Sequence, residues 1–145
     1  MTVTVNVLAV LLAVVVAFVA NFVWFGPKTF YPVWARALGK DPSAPAAQDG
    51  GVGMGVVFGL TVLGSVVQAL TLCWLLQAAL AVYGKTDASL AFGAVTGAAV
   101  GVGIAAATSL GHRLFAGQGL KVWAIEVGGD ILGLTLMGLV LAFFY

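Results

Sequence analysis

Apolar residues run through the chain in four long blocks, at about 3–25, 53–83, 89–111 and 121–144, and polar residues gather in the gaps between them. At about 1.5 Å of rise per residue, each block as a helix spans a hydrocarbon core of about 30 Å. Thr4, Asn6 and Asn21 alone interrupt the first block. A cleaved leader would need a basic start and a shorter apolar core. No Lys or Arg precedes Lys28, so the block is expected to remain as a span. The second block exceeds a simple crossing and is expected to tilt or to extend beyond the bilayer. Gly84-Lys85-Thr86-Asp87 reads as a tight turn, and 112–119 as a polar turn.

The gap after the first block has a pattern of its own. Pro27 ends or kinks the first helix. Phe30, Val33, Trp34, Ala37 and Leu38 then follow helical spacing, with Lys28, Arg36 and Lys40 off that stripe. Pro32 suits a first turn and Gly39 a helix end. The spacing predicts a short amphipathic helix over about 32–38, lying in the headgroup plane, and then a loop over 40–50. The expected fold is all-α. It is a four-transmembrane-helix bundle with a short interfacial amphipathic helix after the first span, in one domain over 1–145.

Composition agrees with a membrane setting. Hydrophobic residues make up 62% of the chain and charged residues 8%, against about 25% charged in an ordinary soluble domain. Mean hydropathy is +1.14. The expected partner is therefore the lipid bilayer. A net charge of +1 leaves no basic patch for nucleic acid. The single Cys73 excludes an intrachain disulfide and reads as a small buried apolar residue. Five of the six Lys and Arg residues lie in the first and third gaps, and only Lys85 lies in the second. By the positive-inside rule those two gaps are cytoplasmic, and both termini are outside.

Small residues recur every four positions at Gly93, Gly97, Gly101, Ala105 and Ser109. That line lets a neighbouring backbone come close. Gly51, Gly55 and Gly59 repeat the spacing in the second block, and Gly129 and Gly133 in the fourth. So many packing faces exceed the needs of a lone bundle, which points to a homo-oligomer or a subunit of a membrane complex.

The fourth block carries the sharpest anomaly. Glu126 and Asp130 sit inside it, four residues apart and so on one helix face. Intramembrane acids are rare and mark function or helix contacts. With four crossings, Asn21, Ser109, His112 and Arg113 fall in the same half of the membrane as the two acids. The other half offers Thr71 and Gln77, with Gln68 near the middle. Polar groups stop halfway, which favours an inward-facing pocket over a complete pore. The acids could pair with Arg113, Lys121 or His112. Alternatively, a protonated carboxyl could donate to Asn21 or Ser109, and Glu126 could reach the interface beside Lys121. A single His and a distant Cys73 make a metal site unexpected. No cofactor motif or catalytic set is present, so an enzyme is not expected.

The run WFGPKTFYPVWARALG resembles the small bacterial integral membrane family called domain of unknown function 1761. The residues that carry the resemblance are Trp24, Phe25, Gly26, Pro27, Phe30, Trp34, Arg36, Leu38 and Gly39. Leu114, Phe115, Lys121 and Gly128 also look similar. The resemblance implies four spans and a bacterial inner (plasma) membrane. It implies no activity, cofactor or substrate. The acids depart from the pattern, where Asn and an aromatic or basic residue are more usual. The leading functional expectation is a non-enzymatic packing or accessory subunit with an inward polar pocket. The alternative is a small transporter or proton-coupled carrier using Asp130 and Glu126.

Overall fold

The computed structural model describes residues 3–44 and 52–145. Gly51 and the 45–50 part of the expected loop lie outside the described residues. Most of each block is helical, although residues 3–6 of the first block precede its helix, and four helices are long and apolar enough to cross a membrane.

Helix α1, Val7–Trp24, starts where the Asn6 side chain accepts a hydrogen bond from the Ala9 N–H at 3.2 Å. It stops ahead of Gly26 and Pro27. Helix α2, Tyr31–Ala37, holds Pro32 in its first turn, where a missing N–H costs nothing. The α2 end is a glycine turn, Gly39, at φ +72°. Helix α3, Met54–Val82, runs for 29 residues. The third crossing begins as α4, Leu90–Val100, capped by the Ser89 hydroxyl. It widens into a π-helical turn over Gly101–Ala106 and finishes as α5, Ala107–Phe115. Helix α6, Gly119–Ala142, completes the chain.

Two details depart from the expected boundaries. His112 and Arg113 lie in the last turn of α5 instead of in a polar turn. Nothing in the sequence stops the helix before Gly117, and cations are favoured at a helix C-terminus. The third crossing is also not one regular helix. Gly101 and Gly103 weaken the local preference for α geometry, and the π turn falls on them.

Helix α6 is the central element and packs against every other helical segment. Its apolar window is 44% buried, against 17–28% for the other three crossings. Lipid is as apolar as leucine, so helices associate through close packing rather than through hydrophobic burial. The packing here is very close. Gly93 and Gly138 sit back to back, and a Cβ on either would strike the carbonyl of the other. One on Gly97 would strike the Leu134 carbonyl, and one on Gly101 would lie 2.9 Å from the Ile131 Cα. On the other side of α6, Ala9, Ala13 and Ala17 of α1 are buried in a core with Leu72 and Leu76 of α3 and Met137 and Leu141 of α6.

Helix α3 is different. Every residue from Val52 to Gly64 is exposed, and its buried positions begin at Ala69. Its C-terminal half therefore packs into the bundle while its N-terminal half stands off. At about 1.5 Å per residue the helix is about 43 Å long, longer than a hydrocarbon core is thick.

Candidate intramembrane polar site

The site is framed at one end by the segment that follows α1. Trp24 donates its indole N–H to the Ile125 carbonyl at 2.9 Å, which meets the polar need of a ring placed against apolar helix. Its ring lies on Phe30, with centroids 4.3 Å apart. Gly128 admits that ring, since a Cβ there would come within 2.6 Å of it. Phe25 meets Trp34 edge-on at 6.0 Å. The Thr29 hydroxyl donates to the Trp24 carbonyl at 2.8 Å and closes the turn. The aromatic residues of this run thus clamp α2 onto the first half of α6.

The clamp delivers Trp34 to Glu126. The Trp34 indole N–H donates to Glu126 Oε1 at 3.0 Å, and Arg113 Nε lies 2.6 Å from Glu126 Oε2. Arg113 also donates to Gln118 Oε1 at 2.9 Å. Glu126 does not reach out beside Lys121; it turns inward to an arginine and an indole. Arg36 and Lys121 remain exposed.

One turn deeper, Asp130 has a different setting. The standing-off half of α3 leaves a gap on each side, and Asp130 lines both. The cavity on the α1 side, about 430 Å³, is bordered by Asn21, Thr61, Ser65 and Gln68. The cavity on the side of the third crossing, about 460 Å³, is bordered by Gln68, Thr71, Thr108, Ser109 and His112, with more apolar wall. Gln68 and Leu134 are common to both. Among the described residues the Asp130 carboxylate has no hydrogen-bond or ion-pair partner.

The expected hydrogen bonds from Asp130 to Asn21 or Ser109 are not made. Asn21 Nδ2 donates to the Ala17 carbonyl on its own helix at 3.1 Å. The Ser109 hydroxyl donates to the Ala106 carbonyl at 3.2 Å. Such back-bonding along a helix is the local competitor for these side chains. The π turn sharpens it, because Trp123 Nε1 donates to the same Ala106 carbonyl at 3.2 Å. The six polar residues nonetheless fall into two linked groups. Arg113 and Glu126 form the pair at the clamp. Asn21, Ser109, His112 and Asp130 border the cavities. Among the described residues no three His, Cys, Asp or Glu side chains are grouped to hold a metal.

The glycines divide in a similar way. Gly93, Gly97 and Gly101 face α6, and Gly129 and Gly133 face Asn21 of α1. A Cβ on Gly55 or Gly59 meets nothing within 4 Å. These two share the spacing of the packing line but lie on the half of α3 that stands off.

The opposite end of the bundle is closed by a knot that the sequence pattern did not indicate. The Thr4 N–H donates to Gln77 Oε1 at 3.0 Å, and Gln77 Nε2 donates back to the Thr4 carbonyl at 2.9 Å. The Tyr145 hydroxyl donates to the same carbonyl at 2.9 Å and accepts from the Asn6 N–H at 2.7 Å. The Cys73 thiol donates to that hydroxyl at 3.3 Å. Partial burial and the Cys73 contact push the Tyr145 phenol above its ordinary range. Ala88 N–H donates to the Tyr145 carbonyl at 3.1 Å. Residues near both termini therefore meet the α3–α4 turn at one end, as an even number of crossings requires.

A family model described as "Protein of unknown function (DUF1761)" matches residues 8–142. No curated protein and no solved structure matches the chain.

Proposed function

The chain belongs to the family of proteins of unknown function DUF1761, and we propose that it is a small carrier that binds a cationic solute or a proton at Asp130. The observation that carries this reading is an acid, Asp130, that is exposed, lines two open cavities and makes no hydrogen bond or ion pair among the described residues. An ionisable group at membrane depth is normally paired, or it serves a substrate or proton pathway. Glu126 is paired through Arg113 and Trp34; Asp130 is not. The knot at the other end supports one-sided access, and the N-terminal half of α3 is exposed beside the cavities. In this reading the protein performs no covalent chemistry.

Five of the six Lys and Arg residues lie in the first and third connections, which supports a cytoplasmic position for that end and outward-facing termini. The host membrane we infer is the bacterial inner membrane. The cavities then open from the cytoplasmic half.

A second reading has one observation in its favour. The open face of α3 with Gly55 and Gly59 is the kind of surface a second copy or another membrane subunit would cover. An accessory subunit of a membrane complex would use it.

The test is electrical. Protein reconstituted on a solid-supported membrane is challenged with a panel of monovalent cations and with proton steps. A carrier gives transient currents with some of them, and Asp130→Asn abolishes those currents while the protein still elutes as the same species. Currents unchanged in Asp130→Asn, or none with any challenge, would refute the carrier reading.

A further inference from the structure

The two cavities beside Asp130 are not chemically alike, and the difference points to a ligand class. We propose that the cavity between α3 and the third crossing holds a lipophilic monocation, an ammonium bearing apolar groups, with its charge at Asp130. This rests on the carrier reading above and narrows it.

Three features carry the proposal. The first is charge. The site offers one carboxylate without a partner, because Arg113 and the Trp34 indole already hold Glu126. One positive centre matches that; a dication would leave a charge unpaired in a low-dielectric place. The cavity's own basic side chain is His112, and Arg113 points its guanidinium to Glu126 and Gln118.

The second is the wall. Val67, Leu72, Val100, Ile104 and Leu134 line the cavity, and the Ser109 hydroxyl is turned away to the Ala106 carbonyl. A volume of about 460 Å³ falls in the range of small-molecule sites, which are mostly apolar with a few polar anchors. A bare metal cation or a small hydrated ion would gain nothing from such walls. The α1-side cavity, with Asn21, Thr61, Ser65 and Gln68, is the more suitable for water and protons.

The third is access. Helix α3 meets the third crossing along α4 and makes no extended contact with the π-helical and α5 parts. The gap is flanked by Val67 and Ile104, both exposed. It therefore opens sideways towards hydrocarbon. A hydrophilic cation would have to pass the end that carries Lys28, Arg36, Arg113 and Lys121. A lipophilic one reaches Asp130 from the bilayer and avoids that repulsion.

The experiment compares two ions of equal charge and different body. Full-length protein in lipid nanodiscs is titrated by equilibrium dialysis with tetrabutylammonium and with tetramethylammonium. Empty nanodiscs correct for partition into lipid. Tetrabutylammonium should bind saturably and at least about tenfold more tightly, a ratio that about 60 Å² of extra apolar burial supplies at ~25 cal/mol per Å². Asp130→Asn should lose both ions. Val67→Trp, at an exposed lining position, should remove most of the tetrabutylammonium preference. Equal affinity for the two ions, or no saturable binding, overturns the proposal. If small cations still give Asp130-dependent currents in that case, the carrier reading survives and the ligand class is wrong. If binding persists unchanged in Asp130→Asn, both fall.

Discussion

Trp34 of the short helix α2 hands its indole N–H to Glu126 Oε1 across 3.0 Å, although 92 positions separate the two in the chain. The other oxygen of the same carboxylate takes Arg113 at 2.6 Å. One acid thus ties α2, α5 and α6 together, and the next acid on the same face is left for something else. The division of labour between Glu126 and Asp130 is the structural basis of the functional proposal. It also means that the two acids should respond differently to substitution.

For Glu126 the expected behaviour is that of a paired charge. Trp34→Phe removes one hydrogen bond to a charged group and should cost about 1–2 kcal/mol. Arg113→Gln should cost more, because it leaves a carboxylate that is 19% exposed without its cation. Exposure of the arginine side chain, at 40%, keeps that cost below a fully buried pair's. The double variant Arg113→Gln with Glu126→Gln should recover much of the loss. Unfolding in graded dodecyl sulfate measures all three. Additive losses in the double variant would show that the two side chains are not coupled.

The glycines make a contrast within one spacing rule. Gly93→Ala places a methyl on the Gly138 carbonyl, and Gly97→Leu forces α4 away from Leu134. Each should destabilise the fold by about 1–3 kcal/mol or more, the usual result of overpacking. Gly55→Leu and Gly59→Leu add side chains to open space and should leave the monomer's stability unchanged. The same unfolding assay reads both sets. If instead Gly55→Leu changes the size of the species purified from membrane and leaves currents intact, α3 is covered by a partner and the accessory reading gains.

What the sequence made legible follows from where contrast exists. Charges, prolines and aromatic runs stand out against an apolar background. So the four long apolar helices, the α2 helix and the presence of two acids on one face of α6 are readable from residues such as Pro27, Pro32, Trp34 and Asp130. Within a crossing the contrast disappears, because lipid and protein interior are equally apolar. The Ala9–Ala13–Ala17 line of α1 is invisible for that reason, and so is the outward lean of α3. Gly138 stands alone and gives no period, although its contact with Gly93 is among the tightest in the bundle. Gly55 and Gly59 show the reverse case, a correct period on a face that touches nothing. The π turn depends on how carbonyls such as that of Ala106 are shared. The knot around Tyr145 joins residues from three distant parts of the chain. Neither leaves a local pattern to read.

In the carrier reading, water reaches Asp130 from one side of the membrane. If α3 stands off at the end bearing Lys28 and Arg113, then the polar positions on its inner face are wet from that end alone. Thr61 and Ser65 line the α1-side cavity, so Thr61→Cys and Ser65→Cys in a Cys73→Ala background should react with a membrane-impermeant maleimide added from the side of the basic connections. Thr86→Cys, in the α3–α4 turn, should react only from the opposite side. The background substitution removes only thiol hydrogen bonds, donated to Tyr145 and the Thr4 carbonyl and accepted from Gln77 Nε2, each worth at most about 1 kcal/mol. Labelling is read as a mass shift on intact protein from right-side-out and inside-out vesicles. Reaction of Ser65→Cys from the side of Thr86, or from neither side, would mean that the cavities do not connect to water at the basic end. Reaction from neither side would leave the sideways gap beside Val67 and Ile104 as the remaining approach to Asp130, and reaction from the side of Thr86 would place the aqueous approach at the opposite end.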